Sequence, residues 1–295
     1  MPRHILAAVL PGPRAAHVLE RARLIAASRG SRLTVLTALH TGPVQATGLA
    51  IAARKAAQDA VLAELAPLMR DAGLSGAPVV RFGRPAVAIE RAVEEFGADF
   101  IVMGPNERRN LRTQMIGSTA DRVLRRTHVP VLIARRQPPG DYYNVLVAVD
   151  FSPACSAAAQ IANRIFPQAR IQLAHVAELP ADMEQALLLS GQTQDRITAF
   201  YHELMEAGRA ELALFAKPWP RARQRVFAGA PAEVLTQLSR TRGVDLIVMG
   251  TRGLDTVMTN VLGSMAQKVI RDAASDVLIV PADAPPEPEP GHSRG

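Results

Sequence analysis

The chain repeats itself, and that repeat limits its possible folds more than any other feature. A shift of 146 places sets Pro85 on Pro231, Gly104 on Gly250, Gly117 on Gly263 and Ser118 on Ser264. Ile101-Val102-Met103-Gly104 returns as Ile247-Val248-Met249-Gly250, and Val131-Leu132-Ile133 as Val277-Leu278-Ile279. Near the start of each copy the shift is 140, pairing Ile5-Leu6-Ala7-Ala8-Val9 with Val145-Leu146-Val147-Ala148-Val149. The change of offset puts an insertion in the middle of the second copy. A unit of about 140 residues is far too long for a solenoid repeat, so the chain is a duplicated domain. With 295 residues in all, each copy is long enough to bury a core of its own.

Within each copy, short apolar runs alternate with helical stretches. The first copy reads as strands over 5–10, 33–39, 79–82, 100–103 and 131–133, with helices over 14–29, 48–72 and 86–96. The second reads as strands over 145–149, 171–176, 224–227, 245–249 and 277–280. Regular alternation of this kind calls for a parallel sheet with right-handed crossovers and helices on both faces. The expected units are 1–136, a linker over 137–142 rich in proline and glycine, and 143–283. Residues 284–295 form a proline-rich polar tail, expected to be extended or disordered.

The stretch that carries most chemistry is 244–264. Val-Asp-Leu-Ile-Val-Met has the length and β-branching of a buried strand, and Gly250-Thr251-Arg252-Gly253 follows at once. Gly263 and Ser264 then open Met265-Ala266-Gln267-Lys268-Val269-Ile270, which reads as a helix. A strand that feeds glycines and then a helix start leaves backbone N–H groups free to face an anion. Ser264 adds a hydroxyl that can cap the helix or donate to a phosphate oxygen. The spacing G-x2-G-x9-G-S behind an apolar strand resembles the nucleotide-binding signature of the universal stress protein family, in its ATP-holding subgroup. The likeness runs through both copies, apart from the linker and the tail.

That resemblance implies more than the residues do alone. It implies two tandem doubly wound α/β domains, each a five-stranded parallel sheet of order 3-2-1-4-5. The ligand crevice then lies at the carboxyl ends of strands 1 and 4, where the order reverses. Asp150 ends the first strand of the second copy, before Ser152-Pro153, a strong helix start. Its carboxylate is placed to accept from a ribose hydroxyl or an adenine amino group; the alternative is a second capping acid. The family sets an aspartate beside the adenosine here and an apolar residue against the base, which falls on Val176. Met249 is a further candidate wall of the base pocket, or an ordinary core methionine. The expected nucleotide contacts are therefore Asp150, Val176, Met249, Gly250, Gly253, Gly263, Ser264 and Met265, with ATP as cofactor and Mg as its counter-ion.

The first copy departs from the pattern. Leu10 stands for Asp150, Glu107 for Gly253, and Thr41 falls near Val176, while Gly104 and Gly117-Ser118 survive. A carboxylate at Glu107 repels a triphosphate, so this copy is not expected to bind ATP in the family manner. Arg108, Arg109 and Arg112, with Arg122, Arg125 and Arg126, either hold a different anion or acidic partner, or form a solvated face or a domain-contact surface; one of the latter two is the expectation. His175 reads as a satisfied core histidine, and Cys155 as a small buried residue without a catalytic role.

Composition bounds the rest. The net charge of +7 sits in the first 140 residues, which carry 20 Lys and Arg against 10 Asp and Glu. The remainder carries 14 against 17. Aromatic residues make up 4%, so the interleaving of cations with stacking rings that single-strand binders use is missing, and nucleic acid is not an expected partner. No run of eighteen apolar residues occurs, no signal-peptide core precedes Pro11, and one cysteine suits a reducing compartment; the expected location is the cytoplasm. None of Lys55, Lys217 and Lys268 follows a glycine, which excludes a Walker-type loop. The function expected is an adenine-nucleotide-binding stress-response regulator, not an enzyme, with a protein partner of unspecified kind. The alternatives are a slow or self-phosphorylating ATPase and an adaptor with empty pockets. The resemblance implies that paired domains associate through an edge strand and that a tandem chain can imitate a dimer internally. A homodimer is also allowed, with 131–133 and 277–280 as the sheet edges to examine first.

Overall fold

The computed structural model describes residues 1–12, 14–40, 48–105, 119–179, 181–190, 194–251 and 262–281. The tail beyond 283 lies outside the described residues. The first half runs β1 (His4–Ala8), α1 (Ala15–Arg29), β2 (Arg32–Leu39), α2 (Gly48–Asp71), β3 (Val79–Phe82), α3 (Pro85–Phe96), β4 (Phe100–Met103), α4 (Thr119–Leu124) and β5 (Val131–Ile133). The second runs β6 (Asn144–Val149), α5 (Pro153–Ile165), β7 (Arg170–Ala177), α6 (Ala181–Leu189) and α7 (Gln194–Phe215). It continues through β8 (Arg223–Ala228), α8 (Pro231–Leu238), β9 (Leu246–Gly250), α9 (Ser264–Asp272) and β10 (Asp276–Val280). Both α6 and α7 lie between β7 and β8, where the first half has α2, which locates the insertion.

The apolar runs form strands because both faces of the sheet are covered. Ile5, Leu6 and Ala7, like Val145, Leu146 and Val147, are fully buried, and successive side chains enter opposite layers. Ile5 and Ala7 join the layer that holds α1 and α5; Leu6 joins the layer that holds α3, α4, α8 and α9. Proline opens α3, α5 and α8, where its missing N–H costs nothing. Left-handed Gly30 and Gly97 end α1 and α3 in a conformation that favours glycine.

Each half keeps the order 3-2-1-4-5, but the two do not form separate sheets. One ten-stranded sheet runs β3-β2-β1-β4-β5-β10-β9-β6-β7-β8. Its halves meet where β5 pairs antiparallel with β10, Leu132 opposite Leu278. Of the two expected uses of 131–133 and 277–280, the internal one is realised: each satisfies the other's backbone inside one molecule, so neither is an edge open to another chain. The free edges are β3 and β8.

The linker is clamped across this joint. Asp276, 1% exposed, accepts from the backbone N–H groups of Arg135 (2.7 Å) and Arg136 (3.2 Å) and from the Tyr142 hydroxyl (2.5 Å). The Arg21 Nε of α1 lies 3.3 Å from the same carboxylate, its guanidinium lies 3.7 Å above the Tyr142 ring, and its Nη1 donates to the Gly140 carbonyl. A matched pair of acids fixes the start of each half. Asp99 accepts from the N–H groups of Arg3 and His4, and Asp245 from those of Tyr143 and Asn144.

Candidate functional site

Two crevices follow from this topology, one at the carboxyl ends of β1 and β4, the other at those of β6 and β9. In the second, Asp150 leaves β6 and turns back on itself. Its Oδ1 accepts from the Ser152 N–H (3.0 Å) and hydroxyl (2.6 Å), while Ser152 Oγ in turn accepts from Cys155 N at the start of α5. Asp150 thus holds the capping serine with one of its oxygens, while the cap of α5 itself is Ser152. Between them Phe151 has φ 61°, a conformation a bulky side chain pays for, and one that concentrates at functional segments. Its ring packs 4.5 Å from that of His175 and meets Phe215 edge-on. No sequence signal announces that strain.

His175 is satisfied, as its sequence context predicts: its Nδ1 bonds to the Val149 carbonyl at 2.9 Å. The first half meets the same need with another side chain, since the Thr37 hydroxyl donates to the Val9 carbonyl at 2.9 Å. Strand register makes these two counterparts, because Ala8 faces Leu36 and Ala148 faces Ala174. It also corrects the expected match of Val176 with Thr41: the counterpart of Val176 is Ala38, and Thr41 lies outside the described residues.

Gly250 is a glycine for a reason that sequence reasoning missed. A Cβ there would come within 2.7 Å of the Ala154 Cβ and 3.1 Å of its carbonyl carbon. The close approach belongs to α5 packing on β9, not to a ligand. At Gly104 the corresponding nearest atom is Val18 Cγ2 at 3.4 Å, an ordinary contact. Gly263 stands at the N-cap of α9, and its N–H donates to the Thr251 carbonyl, which folds the segment back beside the end of β9.

Ser264 opens α9 exposed, with no capping bond from a side chain at this helix start. The first N–H groups of α9 have no partner within the helix and lie next to the Ser264 hydroxyl. Met265 is half-buried against the layer beneath α9. Met249 is 1% exposed and belongs to the same buried layer as Leu262 and Ala266, which is the core role rather than the pocket wall. Val176 is buried near the end of β7. Gly253 lies outside the described residues. The structure therefore gathers Asp150, Gly250, Gly263 and Ser264 at one end of the sheet and leaves the Met249 side chain beneath it.

Cys155 is buried, its Sγ 3.1 Å from the Ser152 carbonyl, and burial pushes its thiol up to about 12. It is a protonated packing residue at neutral pH, with no nucleophile's chemistry.

In the first half, a cavity of about 620 Å³ opens at the carboxyl ends of β1, β2 and β4. Val9, Leu10, Val18, Leu36, Ile89 and Met103 supply apolar lining; Arg14, His40 and Arg122 supply the cations. An adjoining cavity of about 700 Å³ shares His40 and Arg122 and adds Arg84, Arg125 and Arg126. Arg125 pairs with the buried Asp121 and Arg126 with Glu90, so both are already neutralised within the half. Glu107, Arg108, Arg109, Arg112, Gly117 and Ser118 lie outside the described residues. Among the described residues, no three His, Cys, Asp or Glu side chains group to hold a metal, and no helix is long and apolar enough to cross a membrane.

Comparison with known proteins fixes the family. The model of the universal stress protein family matches residues 1–135 and, separately, 141–281. A universal stress protein of Thermus aquaticus is 44% identical over 78 residues, covering 26% of this chain and 56% of its own length. A Staphylococcus haemolyticus relative of the same family name is 29% identical over 150 residues, covering 50% of this chain and 88% of its own. The crystal structure of a universal stress protein from Archaeoglobus fulgidus superposes with a TM-score of 0.66 over 94% of this chain and 96% of that one, at 23% identity, which speaks to the fold. The chain belongs to the universal stress protein family and carries two of its units in tandem.

Proposed function

We infer that the second half binds an adenine nucleotide, ATP with its Mg counter-ion, at the carboxyl ends of β6 and β9. The protein then acts as a nucleotide-dependent regulator within the stress response. The observation that carries this reading is the start of α9: an exposed Ser264 hydroxyl and helix N–H groups with no capping side chain at the N-cap Gly263, folded beside Gly250 through the Gly263–Thr251 bond. An oxyanion of a phosphate chain suits such a set of donors, and the helix dipole adds to it. The intact G-x2-G-x9-G-S spacing supports the same assignment, as does the remaining Oδ2 of Asp150 for a ribose or base donor.

Binding without turnover is the better reading of the chemistry. The Asp150 Oδ1 is taken up by Ser152, the Cys155 thiol is held protonated, and among the described residues no third group is poised to activate water. Titration calorimetry of the whole chain with ATP, AMP and adenosine tests the proposal. ATP should bind once per chain and more tightly than adenosine. Ser264→Ala should weaken ATP by roughly 5-fold, the worth of one hydrogen bond, and Gly253→Glu should abolish binding. Many turnovers of ATP per chain would replace this reading with an enzymatic one, and no heat with any of the three would leave an adaptor.

A further inference from the structure

Among the described residues that line it, the first-half crevice differs from the second at five positions in one direction. Strand register and the two shifts set Leu10 against Asp150, Arg14 against Ala154, His40 against Glu178, Arg84 against Ala230 and Val87 against Glu233. Every one of these five exchanges removes a negative charge, adds a cationic or titratable basic side chain, or does both. The last has a direct consequence. In the second half Lys268 is paired with Glu233 at 2.9 Å; its counterpart Arg122 faces Val87 instead and has no ion-pair partner among the described residues. Arg14 and Arg84 have none there either, although Arg21, Arg23, Arg81, Arg125 and Arg126 all have one.

Among the described residues, no Asp or Glu lines either first-half cavity. Arg14 and Arg122, both without an ion-pair partner among the described residues, line the same cavity, and Arg84 lines the adjoining one; such guanidinium groups raise the local potential and attract an anion. Their planar forks suit a phosphate or carboxylate. Beneath them the lining is apolar, and Leu10 offers a methyl surface where the second half offers the Asp150 carboxylate. A volume of about 620 Å³ falls in the range of small-molecule sites.

The geometry points to a second ligand site in the first half, one that takes a small organic oxyanion, a phosphate or carboxylate head on an apolar body, and not a nucleotide. Arg14 and Arg122 grip the head, and the wall formed by Leu10, Leu36 and Ile89 covers the body. This goes beyond the nucleotide reading and does not depend on it, since the two sites share no residue.

Calorimetry of the full chain with phenyl phosphate, benzoate, inorganic phosphate and benzyl alcohol tests it, each with and without saturating ATP. Phenyl phosphate or benzoate should bind once per chain, and which of them binds more tightly names the head group. Inorganic phosphate should bind more weakly and benzyl alcohol not at all. Arg14→Ala and Arg122→Ala should each weaken the aryl anion about 10-fold, the scale of a hydrogen bond to a charged group. Arg126→Ala, whose native partner is Glu90, should leave it unchanged, and so should Gly253→Glu. Three results would overturn the inference: no binding of either aryl anion, equal binding in the Arg14 and Arg122 variants, or displacement by ATP that Gly253→Glu does not relieve. The last would mean that nucleotide occupies the first half.

Discussion

Gly250 and Gly104 occupy the same place in two copies of one fold, yet only one of them is sterically obligatory. At Gly250 a methyl group would strike Ala154 at 2.7 Å, and Ala154 is held in the first turn of α5; at Gly104 the nearest atom is a Val18 methyl at 3.4 Å. Gly250→Ala should therefore destabilise the ligand-free protein by about 1–3 kcal/mol, the usual cost of overpacking. Gly104→Ala should cost less than about 1 kcal/mol. Urea unfolding of the two variants without nucleotide checks this, and equal midpoints would mean that α5 does not set the requirement. The pair also marks a limit of reading from sequence. Glycine after an apolar strand was legible, but whether it makes room for a ligand or for a helix depends on what packs against it. The same holds for Met249, whose position at the strand end was plain and whose burial was not. Arg14, His40 and Arg122 stand far apart in the chain, and only the β1-β2-β4 arrangement brings them around one cavity.

The elements themselves were largely legible, because each apolar run of a doubly wound sheet is buried on both faces and carries its own signal. What was not legible is the joint. Val131-Leu132-Ile133 is short, apolar and β-branched whether it ends a sheet or continues it, since backbone pairing leaves no mark on side-chain pattern. The structure spends this edge on β10, residue against residue, from Val131–Ile279 to Ile133–Val277. A second-half fragment, residues 141–281, should therefore expose a row of unpaired backbone groups along β10, whose residues are all buried in the intact chain. Because two copies of that edge can pair antiparallel about a two-fold axis, the fragment should form dimers in a way that imitates the β5–β10 contact. Sedimentation of the fragment should show dimer at micromolar concentration, and Leu278→Lys should return it to monomer. A fragment that stays monomeric would show that the β10 edge needs β5 in particular.

At the scale of the whole molecule, the two units are joined by the continuous sheet and by one buried carboxylate. Asp276 accepts from three donors in the linker and the segment after β5 and forms an ion pair with Arg21 of α1, so it ties the first half, the connection and the second half at a single point. It has no counterpart in the first copy, where the shift of 146 lands on Pro130, so the clamp is not a feature that the two copies share. The Tyr142 hydroxyl is held well above its ordinary range by burial and by the adjacent Asp276 charge. A raised folded value means that the neutral phenol's contribution is complete below the unfolded value near pH 10 and is lost as pH rises toward the folded one. Thermal melts should thus lose stability above about pH 10 in the native protein, and Tyr142→Phe should lessen that alkaline loss while costing about 1–3 kcal/mol at neutral pH, because the phenol donor to Asp276 goes with it. Asp276→Ala should cost more, about 3–5 kcal/mol, since it strands the Arg21 guanidinium in a buried place. An apolar replacement of both partners, Arg21→Met with Asp276→Leu, would restore most of that loss if the ion pair were all that Asp276 served. It is not: the N–H groups of Arg135 and Arg136 would still lack their acceptor, each at a cost of about 1–3 kcal/mol. The double variant should therefore remain clearly less stable than the native protein in denaturant titration. Full recovery would show instead that the linker amides find water and that the clamp is nothing more than an ion pair.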